Sequence, residues 1–360
     1  MSTLDPQHSL LDSVEQMLSP ETLNALLAKP VRRVEISPMN GHAGLAGGQL
    51  SYVDTDAGRL VLKRMSLASD WIMFASQDYR CRSIPLWQYV LDQLLPYLEH
   101  KIITCARDGE NWAILMADLT GRVFSWNNPM SPELALIFLD ALAKLHATFW
   151  NDPRLMEAEL ALCTPAQLLD QTSLPMAQKY KHLSLGVIPE WVRGGWELMD
   201  TLLEADVYTF LRELTENPQP LLVALKRYPF TLLHGDYRFE NLAYLNGPIA
   251  LDWQEATCSL MTIDVAWFVK NGAVRETLGQ AQAVQAYRKY LQGHLKRPFG
   301  DQEWQAMMDL GYLVDALRST CFSAYWYRQH AMNHRQKEME YLENEVKLRN
   351  QQIRAAMRWL

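Results

Sequence analysis

At 360 residues the chain is long for one hydrophobic core, so two lobes or domains are expected. A hydrophobic content of 49% beside 21% charged residues is that of a soluble globular protein, and the net charge of −7 excludes the broad basic footprint of a general nucleic-acid binder. Five cysteines without paired spacing point to reduced thiols in a cytoplasmic setting, and no apolar run nears the ~20 residues of a membrane span.

In chain order, the first 18 residues lack the basic and apolar regions of a secretory leader, and residues 6–29 read as helical, with Ser19-Pro20-Glu21 starting a second helix. Residues 31–36 read as a strand. A glycine-dense loop follows, with Gly41, Gly44, Gly47 and Gly48, and leads into a strand over 49–54, a turn at Thr55-Asp56-Ala57-Gly58 and a third strand over 59–64. A dinucleotide-binding unit needs a helix after its glycines, and a Walker loop ends in Gly-Lys-Ser/Thr; here the glycines run into a strand and that ending is missing. A glycine loop covered by a hairpin is the kinase-type arrangement. Residues 112–119 form an apolar strand ending in a change of composition. Ser131-Pro132-Glu133 caps a helix running to about Trp150, with His146 interrupting its apolar face as a packing residue. Residues 151–229 are mostly helical in pattern, an insertion able to shape a substrate pocket, and from Thr262 onward helix follows helix. The last of these, residues 338–358, is charged on most faces and reads as a surface helix.

The segment His234-Gly235-Asp236-Tyr237-Arg238-Phe239-Glu240-Asn241, followed eleven residues after its Asn by Asp252, carries the chemistry. Phosphoryl transfer needs hard oxygen ligands for Mg²⁺ and a carboxylate that positions the attacking hydroxyl, and Asp236, Asn241 and Asp252 supply them. Residues 228–233 read as a strand before the motif, and 242–245 with 249–251 as a hairpin turning at Asn246-Gly247, so that Asp236 and Asp252 fall at neighbouring loop ends. The spacing alone does not separate base from metal ligand.

His-Gly-Asp, the Asn five residues after that Asp, and Leu251-Asp252-Trp253-Gln254 resemble the aminoglycoside phosphotransferase and choline kinase-like family. The resemblance implies an α+β, bilobal, protein kinase-like fold, with a β-rich N-terminal lobe over residues 1–118 and a mainly helical lobe over 119–360. It implies ATP and Mg²⁺ as cofactors and a small-molecule hydroxyl as acceptor. Asp236 becomes the catalytic base, and Asn241 and Asp252 become the Mg²⁺ ligands. Lys63 becomes the lysine that grips the phosphates under Gly41, Gly44 and Gly47, and the backbone from Met116 to Asp118 becomes the reader of the adenine edge. Arg238 stands where protein kinases carry a lysine that meets the γ-phosphate. Asp264 falls where that family has an aspartate bracing the catalytic loop.

One feature departs from the family. No Glu lies between Glu35 and Glu99, so the helix glutamate that ordinarily holds the phosphate-gripping lysine is missing. Asp78 is the first candidate to replace it, with Asp70 and Asp92 behind. The gap admits a second reading, a nucleotide-binding scaffold without turnover. A protein kinase is excluded, since no Ala-Pro-Glu follows Asp252 and the short interval to Asp264 leaves no activation segment. Glu240, Glu255 and the net acidity hint at an amine-bearing acceptor.

Overall fold

The computed structural model describes residues 4–39, 45–125, 128–270, 274, 277–331 and 336–360. The second opening helix starts at Ser19-Pro20 as the sequence suggests, but the first is far shorter than the reading of residues 6–18 as helical. Only α1 (Val14–Met17), capped by Ser13, and α2 (Pro20–Leu27), capped by Ser19, are helical. The bounds follow from capping: each serine hydroxyl takes a first-turn N–H, and Pro20 at the first turn cannot continue a helix from before it.

Strand β1 (Val34–Pro38) starts three residues later than the sequence suggests, and with β2 (Gln49–Thr55) and β3 (Gly58–Met65) it forms an antiparallel meander. The hairpin of β4 (Ile102–Asp108) and β5 (Asn111–Ala117) completes a five-stranded sheet in the order β1-β2-β3-β5-β4. Side chains alternate across it. Leu60 and Leu62 of β3 join Val53, Leu115 and the buried faces of α1 and α2 in a small core on one side. Val61, Lys63 and Met65 turn to the other side, opposite Met116, Ile114 and Trp112 of β5. Lys63 is thereby aimed at the rest of the molecule by the pleat alone.

On that side lie α3 (Trp71–Ala75), α4 (Ser83–Tyr89) and the helical half of the protein. Its scaffold begins with α5 (Pro132–Thr148), capped by Ser131 as its Ser-Pro-Glu suggests, and continues through α6 (Pro165–Asp170), α7 (Leu174–Lys179), α8 (Ile188–Leu202), α9 (Ala205–Glu216) and α10 (Gln219–Leu225). Trp196 of α8 is fully buried and its indole N–H donates to Thr172 O at 3.0 Å; burying such a side chain stabilises by roughly 1.5–3 kcal/mol.

Two short ladders follow. β6 (Thr231–Leu233) pairs with β9 (Thr257–Ser259), and between them β7 (Leu242–Tyr244) and β8 (Pro248–Ala250) make the hairpin at Asn246-Gly247. The chain ends in α11 (Thr262–Lys270), α12 (Gln280–Leu295), the long α13 (Asp301–Ala331) and α14 (Gln336–Met357). The last is no mere surface helix: Arg349, Asn350, Ile353 and Ala356 are buried, and the Arg349 guanidinium pairs with Asp315 of α13. A charged sequence hid this face because part of what it buries is itself charged.

All five thiols are free. Burial pushes Cys163 up to about 11 and Cys258 and Cys321 up to about 12, so they rest as inert thiols at neutral pH. Among the described residues no helix is long and apolar enough to cross a membrane.

Candidate active site

The loop from β6 to β7 is fixed from beneath by one carboxylate. Asp264, fully buried in the first turn of α11, accepts the backbone N–H groups of His234 at 2.7 Å and Gly235 at 3.0 Å, while His146 Nε2 approaches it at 3.4 Å. Gly235 sits at φ 84°, and a Cβ there would lie 2.2 Å from Glu255 O, so only glycine lets the two chain segments meet. His234 is buried and donates from Nε2 to Leu251 O at 2.9 Å while Nδ1 accepts from the N–H of Asp236 at 3.2 Å. Burial pulls its pKa down, so it stays neutral in that tautomer. His146 is a packing residue as expected, hydrogen-bonded to Tyr287 and Asp264.

This frame presents Asp236. Its Oδ1 accepts from the Trp267 indole at 2.8 Å, and its Oδ2 accepts from Asn241 Nδ2 at 2.8 Å and Arg238 Nε at 3.2 Å. Burial raises the pKa of this carboxyl, but Arg238, Arg318, His234 and the Trp267 hydrogen bond outweigh it and hold it below the ordinary value. Asp236 is therefore ionised at neutral pH and turned by three donors. Arg238 spans Asp236 and Glu240, the latter at 2.8 Å, so Glu240 is already spoken for.

Asn241 Nδ2 meets two acceptors, the Asp236 carboxylate and Asp236 O at 3.0 Å, which fixes its amide orientation. Its other atom, the hard Oδ1, is the one left to a cation. Asp252 arrives beside it because Leu251 N–H donates to Asn241 O at 2.8 Å. It holds a left-handed backbone, φ 62° and ψ 68°, rare for a residue with a side chain, and its carboxylate is 38% exposed.

Lys63 crosses from the sheet to meet it, Nζ to Asp252 Oδ1 at 2.8 Å, with Gln254 Oε1 at 3.5 Å. Burial lowers the lysine pKa, but Asp252 and Asp70 more than offset it and the ammonium stays charged. Asp78 does not hold Lys63. It is turned the other way, accepting the Arg82 N–H at 2.8 Å with the Arg82 guanidinium at 3.8 Å, because it closes the turn into α4. Asp92 is likewise committed, to His8 and His100. Asp70 is the one of the three whose charge acts on Lys63, but it makes no direct ion pair with it: it caps α3 through Oδ1, which also accepts from Gln254 Nε2 at 2.7 Å, and its buried Oδ2 has no hydrogen-bond partner. Burial pushes Asp70 up to about 6.

Of the glycines before β2, Gly41 and Gly44 lie outside the described residues. Gly47 has φ 111° and a Cβ there would strike Ser69 O, so it seats the loop end on the turn that delivers Asp70. Met116 faces the same side of the sheet as Lys63, opposite Val61, and the Asp118 carboxylate accepts from Thr120 N–H and Oγ1–H at 2.8 and 2.6 Å just beyond β5. Two site residues carry no signal in the sequence: Trp267, on an apolar helix, and Arg318. Arg318 of α13 lies over the Trp267 ring at 4.2 Å and pairs with Glu255. Burial pushes Glu255 up to about 7.

The family model described as "Phosphotransferase enzyme family" matches residues 43–308, a span that includes Lys63, Asp236, Asn241 and Asp252. The chain belongs to the phosphotransferase enzyme family. Its bilobal α+β, protein kinase-like architecture accords with that membership. Among solved structures it is similar to a putative aminoglycoside phosphotransferase from Ralstonia eutropha JMP134, at 15% identity over 95% of this chain and 97% of that one with a TM-score of 0.46. It is also similar to the choline kinase LicA from Streptococcus pneumoniae, at 13% identity, 90% and 97% coverage and a TM-score of 0.46. A third similarity is to amicoumacin kinase hAmiN in complex with AMP-PNP and Ca²⁺, at 11% identity, 92% and 94% coverage and a TM-score of 0.48. No curated protein sequence matches significantly.

Proposed function

We propose that this phosphotransferase moves the γ-phosphoryl group of ATP to a hydroxyl of a small molecule. The observation that carries the reading is Asp236: an ionised, half-buried carboxylate, aimed by Trp267, Arg238 and Asn241, beside a second pair of hard oxygens on Asn241 and Asp252. An amide oxygen and one carboxylate suit Mg²⁺, which takes few protein ligands and completes its shell with phosphates and water. Bound with ATP, Mg²⁺ would neutralise charge on the phosphate oxygens; Asn241 and Asp252 would hold it. Lys63, near Gln254 Oε1 and under the charge of Asp70, would leave Asp252 for the α- and β-phosphates. The backbone from Met116 to Asp118 would read the adenine edge, and the divide between the nucleotide-gripping and acceptor-binding parts would fall at 118/119.

Asp236 orients the acceptor hydroxyl and takes its proton as the oxygen bonds to the γ-phosphorus and the bond to ADP breaks. Arg238, 35% exposed in its side chain, stands next to that exchange to meet the phosphoryl oxygens. Glu240 and Glu255, which hint at an amine-bearing acceptor, are engaged here with Arg238 and Arg318.

The test is ADP release over a panel of alcohols, sugars and amino sugars. Acceptor-dependent turnover should fall by ~10²–10⁴ in Asp236→Ala with nucleotide affinity kept, since a general base contributes that much and does not hold ATP. Binding of ATP without acceptor-dependent release across the panel would instead indicate a scaffold.

A further inference from the structure

We infer that Arg318 anchors an anionic group, a carboxylate or phosphate ester, on the acceptor, so that the substrate is an acidic alcohol; this rests on the kinase reading above. Arg318 is 2% exposed, yet its Nε and Nη1 find no hydrogen-bond partner. A buried guanidinium donor left unpaired is costly, and two on one side chain call for an acceptor that the protein itself does not supply. Among the described residues, the other buried side chains with such atoms each leave a single one.

The location gives that acceptor its place. The Arg318 guanidinium carbon sits 4.2 Å over the ring of Trp267, whose N–H holds Asp236 Oδ1, whereas Asn241 takes Oδ2. The base thus has its metal-binding neighbour on one oxygen and Arg318, across one indole ring, on the other. Lys270 lies against the same indole at 4.7 Å. Among the described residues Glu255 is the carboxylate that pairs with Arg318, and it is the more open partner, at 13% of its side chain. A planar guanidinium stacked on an aromatic face is the group best shaped to take a carboxylate or phosphate.

The test uses four matched six-carbon probes, sorbitol, glucosamine, gluconate and sorbitol 6-phosphate, titrated into protein loaded with Mg²⁺ and AMP-PNP, and then assayed for ADP release with ATP. Gluconate or sorbitol 6-phosphate should bind at least tenfold tighter than sorbitol and glucosamine, and the choice between the two anions identifies the headgroup. Arg318→Gln should erase that preference. Glu255→Gln, which keeps the hydrogen bond but removes the competing charge, should strengthen anion binding severalfold, a gain that a merely structural Arg318 does not give. The inference is overturned if protein that binds Mg²⁺ and AMP-PNP normally prefers sorbitol or glucosamine, binds none of the four, or keeps its anion preference in Arg318→Gln. It is equally overturned if Arg318→Gln lowers turnover with all acceptors alike, for then the guanidinium serves the phosphoryl group. A protein that does not bind Mg²⁺ and AMP-PNP at all fails the kinase reading itself, and the inference goes with it.

Discussion

Asp70 acts on Lys63 through its charge alone. As the cap of α3 it is fixed by the Met73 N–H at 3.0 Å, so one oxygen is spent on the helix while the other stays buried without a hydrogen-bond partner. Its folded-state pKa, about 6, lies above the ordinary 3.8. The sign follows: ionising it in the fold costs about 3 kcal/mol at most, a cost absent below pH ~4 and fully present above pH ~6. Asp70→Asn should therefore raise the melting temperature at pH 7.5 while weakening nucleotide use. In the wild type, kcat/KM for ATP should decline on the acid side with an apparent pKa near 6, and that limb should vanish in the variant. An unchanged acid limb in Asp70→Asn would mean that Lys63 does not depend on it.

Among the elements, α11 sets the catalytic loop twice, through Asp264 from below and Trp267 from the side. The sequence disclosed the first, since Asp264 falls at a helix start twelve residues after Asp252, but not the second. An indole reads as apolar, and its N–H bond to a residue 31 positions away becomes visible only when β6 and α11 are packed together. Trp267→Phe keeps the ring and removes the donor. Losing one hydrogen bond to a carboxylate is worth roughly 1.5–3 kcal/mol, so kcat should fall about tenfold or more with KM for ATP little changed. A rise in KM for ATP alone would assign Trp267 to nucleotide binding.

Over the whole molecule, the strands flanking the glycine loop and β5, the hairpin at Asn246-Gly247, the cap of α5 and the motif spacing were legible because each depends on local chemistry, whereas β4 and β9 were not read. The Asp78 assignment and the burial of α14 were not legible, for these are settled by long-range pairing. Asp315 of α13 is one such pairing, since it meets Lys270 of α11 at 3.2 Å and Arg349 of α14 in a buried network. Removing it strands two cations. Asp315→Ala should destabilise the fold by about 3–5 kcal/mol in chemical denaturation, whereas a surface substitution changes it by less than about 0.5 kcal/mol.

The two halves of the protein meet at Lys63 and Asp252, where an ammonium from β3 now pairs with the carboxylate assigned to the metal. Calorimetric titration of AMP-PNP with and without Mg²⁺, into wild type and Asp252→Asn, tests that assignment. Wild type should bind far more tightly with Mg²⁺ than without, and Asp252→Asn should lose most of the difference, because a charged hard-oxygen ligand has become neutral. Equal Mg²⁺ dependence in the two proteins would contradict the phosphotransferase site described above.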